Sequence, residues 1–252
     1  AGKYGLINTK GETILPTIYS EIQVGSSLTT FVTTKDRITK IIQLNKGTYS
    51  IDRKINSVDG FYNDFAVMKY INGRFGCIDN LGKIRIAPQY EIIRPFENEV
   101  AVVKLNGKWG IVDKNESFVA QPYYDSIGVF RNKVCIVSEK GTHYLMDVSG
   151  KILTPDGYAS IKLTKGGNYL LSKNTFKGIA DAWGKEIISP RYQKIIELSP
   201  SLFHVTENDL HGVIDANRNI VLHIKYHEIF YNKKTKEFLT AENGEVDFVT
   251  VK

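Results

Sequence analysis

Short apolar runs separated by turn residues recur along the whole chain, and this spacing is typical of β-strands. Within residues 99–130, Asn106-Gly107 is a strong hairpin signal, because both residues accept the left-handed backbone of a two-residue turn. Pro122 has no N–H to donate and is expected to end a strand's pairing. The predicted strands of this unit cover 99–105, 108–113, 117–120 and 124–130. No segment shows a helical period, so the chain is predicted to be all-β.

This unit recurs about every 34 residues, in seven copies of which the second is worn. Six copies share an acidic or amide residue followed eleven positions later by a tyrosine, and five of them have a glycine three positions before the acidic or amide residue. The glycines are Gly5, Gly76, Gly110, Gly178 and Gly212. In the remaining copy Tyr144 stands in place of the glycine. The acidic or amide residues are Asn8, Asp79, Asp113, Asp147, Asp181 and Asp215. The tyrosines are Tyr19, Tyr90, Tyr124, Tyr158, Tyr192 and Tyr226. The repeats lie near 2–33, 34–70, 71–104, 105–138, 139–172, 173–206 and 207–242, with a closing strand at 243–252.

A small four-stranded sheet has two apolar faces and must stack on its neighbours. Radial stacking gives a β-propeller, and linear stacking gives a solenoid. The hairpins favour the propeller, because they imply antiparallel pairing within each unit, whereas a β-helix needs parallel pairing between units. We therefore predict a single domain, 1–252, with seven compact blades of about 34 residues. The strand that contains Tyr4 recurs at 245–251, so strands from both termini are predicted to close the ring, with one copy spare or added to an edge.

Residues 107–113, Gly-Lys-Trp-Gly-Ile-Val-Asp, resemble the signature of bacterial WG (or KWG) repeats. The same register reads Gly-Lys-Tyr-Gly at 2–5 and Gly-Arg-Phe-Gly at 73–76. The proline–tyrosine elements are also similar, at Pro16/Tyr19, Pro88/Tyr90, Pro122/Tyr124, Pro155/Tyr158 and Pro190/Tyr192. Three copies depart from the signature, with His143, Lys177 and His211 at the aromatic position. The resemblance implies a bacterial binding or scaffold module, often attached to other domains, and supplies no catalytic residues.

Charge and cysteine content narrow the function only slightly. A net charge of +6 suits either an acidic partner or a lysine-rich surface, and the even spread of basic residues favours the surface, so no nucleic-acid partner is predicted. Cys77 and Cys135 lie in apolar runs and are expected to be buried thiols, although a single bridge is left open.

No apolar run approaches the ~18 residues of a membrane helix, so no membrane insertion is predicted. The chain opens like a mature or excised domain, and the expected location is the bacterial envelope, periplasmic or at the surface.

Catalytic and metal-binding patterns are missing. His223 and His227 would lie roughly 13 Å apart on a strand, too far to share an ion unless the strand bends. Neither a nucleophile elbow nor a phosphate loop occurs. The aspartates recur at one turn position in separate blades, so we expect them to form turns rather than to act as acid–base groups or calcium ligands. The sequence therefore predicts no enzyme, no metal and no cofactor.

The six repeat tyrosines and Trp183 are the aromatic residues that could form a binding surface. The six tyrosines could form a ring for stacking sugars or bases, but packing between blades, with each hydroxyl bonded to a backbone group, is favoured. Trp183 precedes Gly184 out of register, at a turn tip where most sister repeats have polar residues. It is predicted either to be exposed or to fold back on its own blade. The basic residues predicted on the same edge are Arg131, Lys133, Lys165, Lys233 and Lys234.

Three functions are compatible with these observations. The first is a non-catalytic scaffold in a bacterium that binds another protein through the edge with Trp183. The second is a module that binds a carbohydrate or a cell surface, with the central cavity or the tyrosines as the stacking platform. The third is a hydrolase or lyase with its site in the central channel of the propeller.

Overall fold

The computed structural model describes residues 2–25, 29–44, 46–62 and 64–250. Over these ranges the regular elements are strands, without a helix. The chain divides into two compact units, residues 1–127 and 128–252, and each is described separately.

The first unit contains a two-stranded hairpin followed by three four-stranded sheets, each with its strands paired in chain order. The hairpin is formed by β1 (Tyr4–Ile7) and β2 (Thr13–Tyr19). Sheet I contains β3 (Glu21–Val24), β4 (Thr30–Lys35), β5 (Ile38–Gln43) and β6 (Gly47–Ser50). Sheet II contains β7 (Ile55–Val58), β8 (Phe65–Tyr70), β9 (Phe75–Asp79) and β10 (Ile84–Tyr90). Sheet III contains β11 (Ile92–Ile93), β12 (Val100–Leu105), β13 (Lys108–Asp113) and β14 (Phe118–Tyr124), and β15 (Ser126–Ile127) ends the unit.

The second unit repeats this organisation. Sheet IV contains the pair β16 (Val134–Glu139) and β17 (Thr142–Asp147). Sheet V contains β18 (Ser160–Leu163), β19 (Tyr169–Lys173), β20 (Phe176–Ala180) and β21 (Glu186–Tyr192). Sheet VI contains β22 (Lys194–Ser199), β23 (Leu202–Glu207), β24 (Leu210–Asp215) and β25 (Ile220–Tyr226). Sheet VII has only three strands, β26 (Glu228–Asn232), β27 (Glu237–Glu242) and β28 (Glu245–Thr250).

Antiparallel hairpins connect successive strands within each sheet, and this is the blade architecture of β-propellers. The predicted all-β propeller class with compact four-stranded blades is therefore confirmed, and the parallel pairing of a β-helix is not observed among the described strands. Of the eight copies of the repeated strand, seven are the third strands of sheets I to VII, the last being β28, and the spare copy is β1, in the hairpin. The single domain and the closure of the ring by both termini stay predictions.

The sheets are out of phase with the predicted repeat unit. The strand after each repeat tyrosine was expected to be the fourth of its unit, but β11, after Tyr90, pairs with β12 as the first strand of sheet III. In the same way β22, after Tyr192, pairs with β23. Pro122 does not end pairing either: β14 runs to Tyr124, which pairs with Trp109. Because β14 is the outermost strand of its sheet, the missing N–H of Pro122 leaves no neighbour unpaired.

A bulge in the outer strand explains the repeat glycine. In sheet III the register shifts between the pairs Trp109–Tyr124 and Ile111–Ala120, so extra residues of β14 lie opposite Gly110. A Cβ on Gly110 would lie 2.7 Å from the Ala120 carbonyl oxygen and 2.9 Å from the Pro122 nitrogen. The backbone of β14 therefore occupies the space that a side chain at position 110 would need.

Sheet IV shows what happens when this glycine is absent. Tyr144 stands at its place, and the outer strand is reduced to two isolated bridges, His143–Tyr158 and Met146–Ile152. Part of the lost ladder is replaced by the Thr154 hydroxyl, which accepts a hydrogen bond of 2.8 Å from the Leu145 N–H.

Within each unit, two adjacent residues of the third strands make the contacts between consecutive sheets. The forward residue lies two positions after the aromatic position of the repeat, and the backward residue follows it. The forward residue Cys77 of sheet II packs in one cluster with the backward residue Val112 of sheet III. The other such pairs are Ile41 with Ile78, Leu145 with Ala180, and Ile179 with Ile214. In sheet VI the forward residue Val213 packs with Phe238 and Val249 of sheet VII.

Candidate functional site

The aromatic position of the repeat is the cross-strand partner of the repeat tyrosine. Trp109 pairs with Tyr124, and the five equivalent pairs are Tyr4–Tyr19, Phe75–Tyr90, His143–Tyr158, Lys177–Tyr192 and His211–Tyr226. The constant spacing along the chain therefore reflects one register. Direct cross-strand neighbours are the contacts that stabilise a sheet, which favours a role for these tyrosines in blade assembly.

The residue at the aromatic position has a second cross-strand neighbour, on the second strand of its sheet, and the side chain of this neighbour suits it chemically. In sheets II and III, where the position is aromatic, a lysine lies over the ring: Lys69 Nζ is 5.5 Å from the Phe75 centroid and Lys104 Nζ is 5.7 Å from that of Trp109. Where the position is polar, the neighbour carries a hydroxyl, as Ser172 Oγ does 3.1 Å from Lys177 Nζ. Trp109 also has the Arg94 guanidinium 4.8 Å from its ring centroid, so its indole is engaged within its own sheet.

The tyrosines do not form an exposed platform. Tyr90, Tyr158 and Tyr192 are buried in the clusters between sheets, while Tyr19, Tyr124 and Tyr226 are partly buried. The expectation that the hydroxyls bond to backbone groups is wrong for the three buried residues. Tyr158 donates to the Glu186 carboxylate, Tyr192 accepts from the Arg191 guanidinium at 2.5 Å, and Tyr90 has no partner. Burial, with the nearby negative charge of Glu116, raises the pKa of Tyr90 to about 12.

The repeated acidic positions each organise a turn. Asp113 Oδ1 accepts hydrogen bonds of 2.8 Å from the N–H groups of Asn115 and Ser117. The same two bonds occur at Asn8, Asp79, Asp147, Asp181 and Asp215. Asp79 is buried and also pairs with Arg85 at 2.7 Å. Although burial opposes ionisation, the hydrogen bonds from Lys83, Arg85 and Leu81 hold the pKa of Asp79 below its ordinary value.

Trp183 lies at the tip of the Asp181 turn, between β20 and β21, and 70% of its surface is exposed. Its N–H donates to Asp181 Oδ1 at 2.9 Å, and Gly184, with a φ of 84°, completes the turn. Leu153 lies close to Gly184, since a Cβ at that position would be 2.5 Å from Leu153 Cδ1. In the described part of the chain, no ring or cation contact engages the indole. Trp183 is therefore exposed and does not fold back on its own blade.

The five predicted basic residues are exposed in turns at the same end of their sheets as Trp183. In a meander, the turn between strands one and two and the turn between strands three and four lie at the same end. Lys165 is in the first of these turns in sheet V, and Trp183 is in the second. Arg131 and Lys133 precede β16, and Lys233 and Lys234 join β26 to β27. We call these six residues the Trp183 end; the described contacts include no hydrogen bond or ion pair between their side chains.

Two histidines on adjacent strands of sheet VI, His204 on β23 and His211 on β24, are in contact. His204 Nε2 and His211 Nδ1 are 3.0 Å apart, and the Thr206 hydroxyl is 3.0 Å from the same His211 nitrogen. Burial, with the positive charges of His211 and Lys194, lowers the pKa of His204 to about 4. The equivalent positions in sheets I, II, III and V are aliphatic: Val32, Val67, Val102 and Leu170.

We expect the His204 pair to make stability depend on pH. A pKa that is lower in the folded state than the ordinary 6.5 means that stability is fully present above 6.5 and is lost as the pH falls towards 4. The loss should be about 1–2 kcal/mol of unfolding free energy, because partial exposure screens roughly half of the full effect. Urea unfolding from pH 8 to 4 would measure it, with His204→Val, which introduces the residue of sister repeats, as the comparison. Equal losses in both proteins would contradict the assignment.

The cysteines and the pair His223 and His227 are the remaining residues that the sequence offered for chemistry. Cys77 and Cys135 are buried free thiols, and burial, with the nearby charges of Asp59 and Glu116, raises the pKa of Cys77 to about 12. His223 and His227 are exposed. Within the described ranges, no three His, Cys, Asp or Glu side chains are grouped so that they could hold a metal ion, and no helix is long and apolar enough to cross a membrane.

The worn repeat contains a cleft that sequence reasoning missed. It has a volume of about 820 Å³ and lies beside β5 and the segment that leads to β7. Arg37, Lys40 and Arg53 line it together with Asp36 and Asp52. Asp52 already accepts hydrogen bonds from the Lys54 N–H and the Tyr70 hydroxyl. The poor match of residues 34–60 to the repeat was the signal that this part of the chain differs.

Comparison with known proteins agrees with the repeat register. The model of the WG containing repeat matches residues 4–24, 75–109 and 109–142, so each match begins at an aromatic position, Tyr4, Phe75 or Trp109. The chain thus carries WG repeats, as its sequence predicted; a bacterial origin stays a prediction. No curated protein matches the chain.

Solved structures resemble the chain only distantly. Hsv2p of Kluyveromyces lactis is 10% identical over 88% of this chain and 92% of its own, with a TM-score of 0.36. BamB from Moraxella catarrhalis is 8% identical over 98% and 91%, with a TM-score of 0.35. A eukaryotic initiation factor is 9% identical over 97% and 78%, with a TM-score of 0.40. At these TM-scores the similarities carry no argument about function.

Proposed function

We propose that this chain is a non-catalytic module of a bacterial envelope protein and that it binds another protein through the Trp183 end. The observation that carries the proposal is a tryptophan with 70% of its surface exposed on a turn whose backbone is fixed. Tryptophan is among the residues that contribute most to binding energy at protein interfaces. A rigid turn also lowers the entropy lost when the side chain becomes ordered on binding.

The basic residues suggest the chemistry of the partner. Arg131, Lys133, Lys165, Lys233 and Lys234 are exposed, and the described contacts place no acidic side chain against any of them. Cations at the rim of an interface accelerate association with an acidic surface and help to select it. The expected partner is a protein with an apolar pocket for the indole and an acidic rim.

Replacing Trp183 with alanine should abolish or strongly weaken binding. Proteins captured on the purified chain from a lysate of the organism that carries the gene would be quantified by mass spectrometry, and the dissociation constant of the enriched protein measured by titration. Loss of a tryptophan hot spot costs about 2 kcal/mol or more, which is roughly a thirtyfold weaker affinity. Folding should be unchanged, because the side chain is mostly in solvent.

Phe176→Ala is the matched control. Phe176 is an aromatic residue on the same sheet, 42% exposed, and it begins β20 at the end opposite to Trp183. Its loss should leave affinity unchanged. Equal affinity of the Trp183→Ala chain and the wild type for the captured protein would overturn the proposal.

Carbohydrate binding is the second candidate, and the cleft at Arg37 and Arg53 is the observation that favours it. Its volume is within the range of small-ligand sites, and its polar and cationic lining suits a glycan with carboxylate or sulfate groups. A glycan array that stays blank would remove this candidate.

A further inference from the structure

One face of sheet VII is exposed at a position that other sheets bury. The forward residues of six third strands have no exposed surface: Ile41, Cys77, Ile111, Leu145, Ile179 and Val213. The forward residue of β28 is Phe248, and 74% of its surface is exposed. The chain therefore has the largest residue of the series at the one place among these seven that is exposed.

The residues around Phe248 extend this exposed surface across the whole sheet. Phe230, Leu239 and Phe248 are direct cross-strand partners in one row, and Val246 lies beside them on β28. Phe230 is 61% exposed and Val246 65% exposed. We call these four residues the sheet VII face. Exposed apolar surface of this kind marks an interaction site in a protein that is otherwise well packed.

The N-terminal hairpin exposes the complementary position. The backward residues Ile78, Val112, Met146, Ala180 and Ile214 are all buried. In β1 the backward residue is Ile7, and it is 64% exposed. Within both units, a forward residue packs against the backward residue of the following sheet. Phe248 and Ile7 have the sequence positions of the two halves of such a contact, and both are exposed.

Charge also favours contact between these two surfaces. The charged side chains on the same side of sheet VII as Phe248 are Glu228 and Glu237. The hairpin region carries Lys3 and Lys10 against Glu12, which leaves it one charge positive (2 − 1). Two copies of the sheet VII face would bring the glutamates together, whereas the hairpin brings lysines towards them.

We propose that the sheet VII face binds the N-terminal hairpin of a second copy of this chain, with Phe248 of one copy packed on Ile7 of the other. The contact repeats, between molecules, the interface that joins consecutive sheets within each unit. It is heterologous, because the two copies contribute different surfaces. It does not involve the Trp183 end.

The association can be measured by sedimentation velocity of the 252-residue chain over a wide range of concentration. We expect the wild type to form dimers and larger species as its concentration rises, because each copy keeps one free face of each kind. Phe248→Asp and Ile7→Asp should each be monomeric. Both residues are exposed in a single copy, so the variants should keep the circular dichroism spectrum and unfolding midpoint of the wild type.

Mixing the two variants gives the decisive result. The Phe248→Asp chain keeps its hairpin, and the Ile7→Asp chain keeps its sheet VII face, so the mixture should form a one-to-one dimer and nothing larger. Phe176→Asp, at an exposed aromatic residue outside both surfaces, should associate like the wild type. Val246→Asp is a second probe of the face if Phe248→Asp is poorly folded.

Three outcomes would overturn the proposal. A wild type that stays monomeric at every concentration would show that the faces do not bind a second copy, which is the result expected if both termini close the ring within one molecule. An Ile7→Asp chain that still dimerises would indicate contact between two identical faces. A mixture of the two variants without a heterodimer would exclude the pairing of Phe248 with Ile7.

Discussion

Replacing Gly178 with alanine should lower the unfolding free energy by about 1–3 kcal/mol, because the new methyl group would overlap backbone atoms that cannot move independently. A Cβ at this position would lie 2.5 Å from the Ile188 carbonyl oxygen and 2.8 Å from the Pro190 nitrogen. Both atoms belong to the bulge of β21, where the register shifts between the pairs Lys177–Tyr192 and Ile179–Ile188. Urea unfolding followed by circular dichroism would measure the loss.

Gly2→Ala is the control for this substitution. A Cβ on Gly2 meets no atom within 4 Å, so the same chemical change should leave the unfolding midpoint where it is. If Gly178→Ala and Gly2→Ala unfold at the same denaturant concentration, the outer strand can give way and the bulge is not the reason for the repeat glycine. Sheet IV, where Tyr144 accompanies the loss of the regular outer strand, favours the opposite result.

Replacing Phe203 with alanine should have the larger effect, a loss of about 3–5 kcal/mol of unfolding free energy. Phe203 is fully buried in the cluster between sheets V and VI, among Ile179, Tyr192 and Ile214. The cost combines the lost transfer of the ring from water with the cavity left between two sheets that are fixed by their own ladders. Thermal or urea unfolding of the purified variant would measure it.

Phe176→Ala provides the matched comparison, since Phe176 is in the same unit, is 42% exposed and lies outside the sheet VII face. A change at such a site is usually within about 0.5 kcal/mol. The difference between the two variants isolates burial from the chemistry of the substitution. A loss of the same size at both positions would mean that the contact between sheets V and VI contributes little to stability.

The local features of the fold were predictable because a few adjacent residues determine them. Asn106 and Gly107 have φ angles of 51° and 78°, as their hairpin motif requires. Asp113 forms its turn with N–H groups two and four residues away, so the same residue type has the same geometry wherever the repeat recurs. The strands between these turns follow from apolar spacing, and the repeat then predicts stacked blades.

Features that depend on contacts between strands or sheets were not predictable. Pro122 continues its strand because that strand is outermost, and edge position is a property of the sheet. The strand after Tyr90 was predicted to be the last of its unit, but it is the first strand of sheet III. The reason is again a property of the sheet: a short strand such as β11 could pair with either neighbour, and tertiary packing selects β12. The His204–His211 contact joins residues of adjacent strands that no motif associates.

The candidate site also has one part that the sequence predicted and one part that it did not. Its turn, from Asp181 to Gly184, was evident from the repeat, and so was the position of Trp183 at the tip. Exposure was not, because a turn residue can fold back on its blade and only the neighbouring atoms decide whether space exists. The sheet VII face is the clearest case: Phe248 has the sequence position of a buried core residue, and nothing in the repeat indicates that it is 74% exposed.

The sequence by itself determined the repeat, its glycines and turn aspartates, the all-β class and the absence of a catalytic motif, because each of these depends on backbone preferences over a few residues. The tertiary structure alone decided which strand pairs with which sheet, which tyrosines are buried and which apolar side chains are exposed. Burial is the physical reason for the difference. It depends on atoms far apart in the chain, so Phe248 and Val213 occupy the same place in the repeat yet lie in opposite environments.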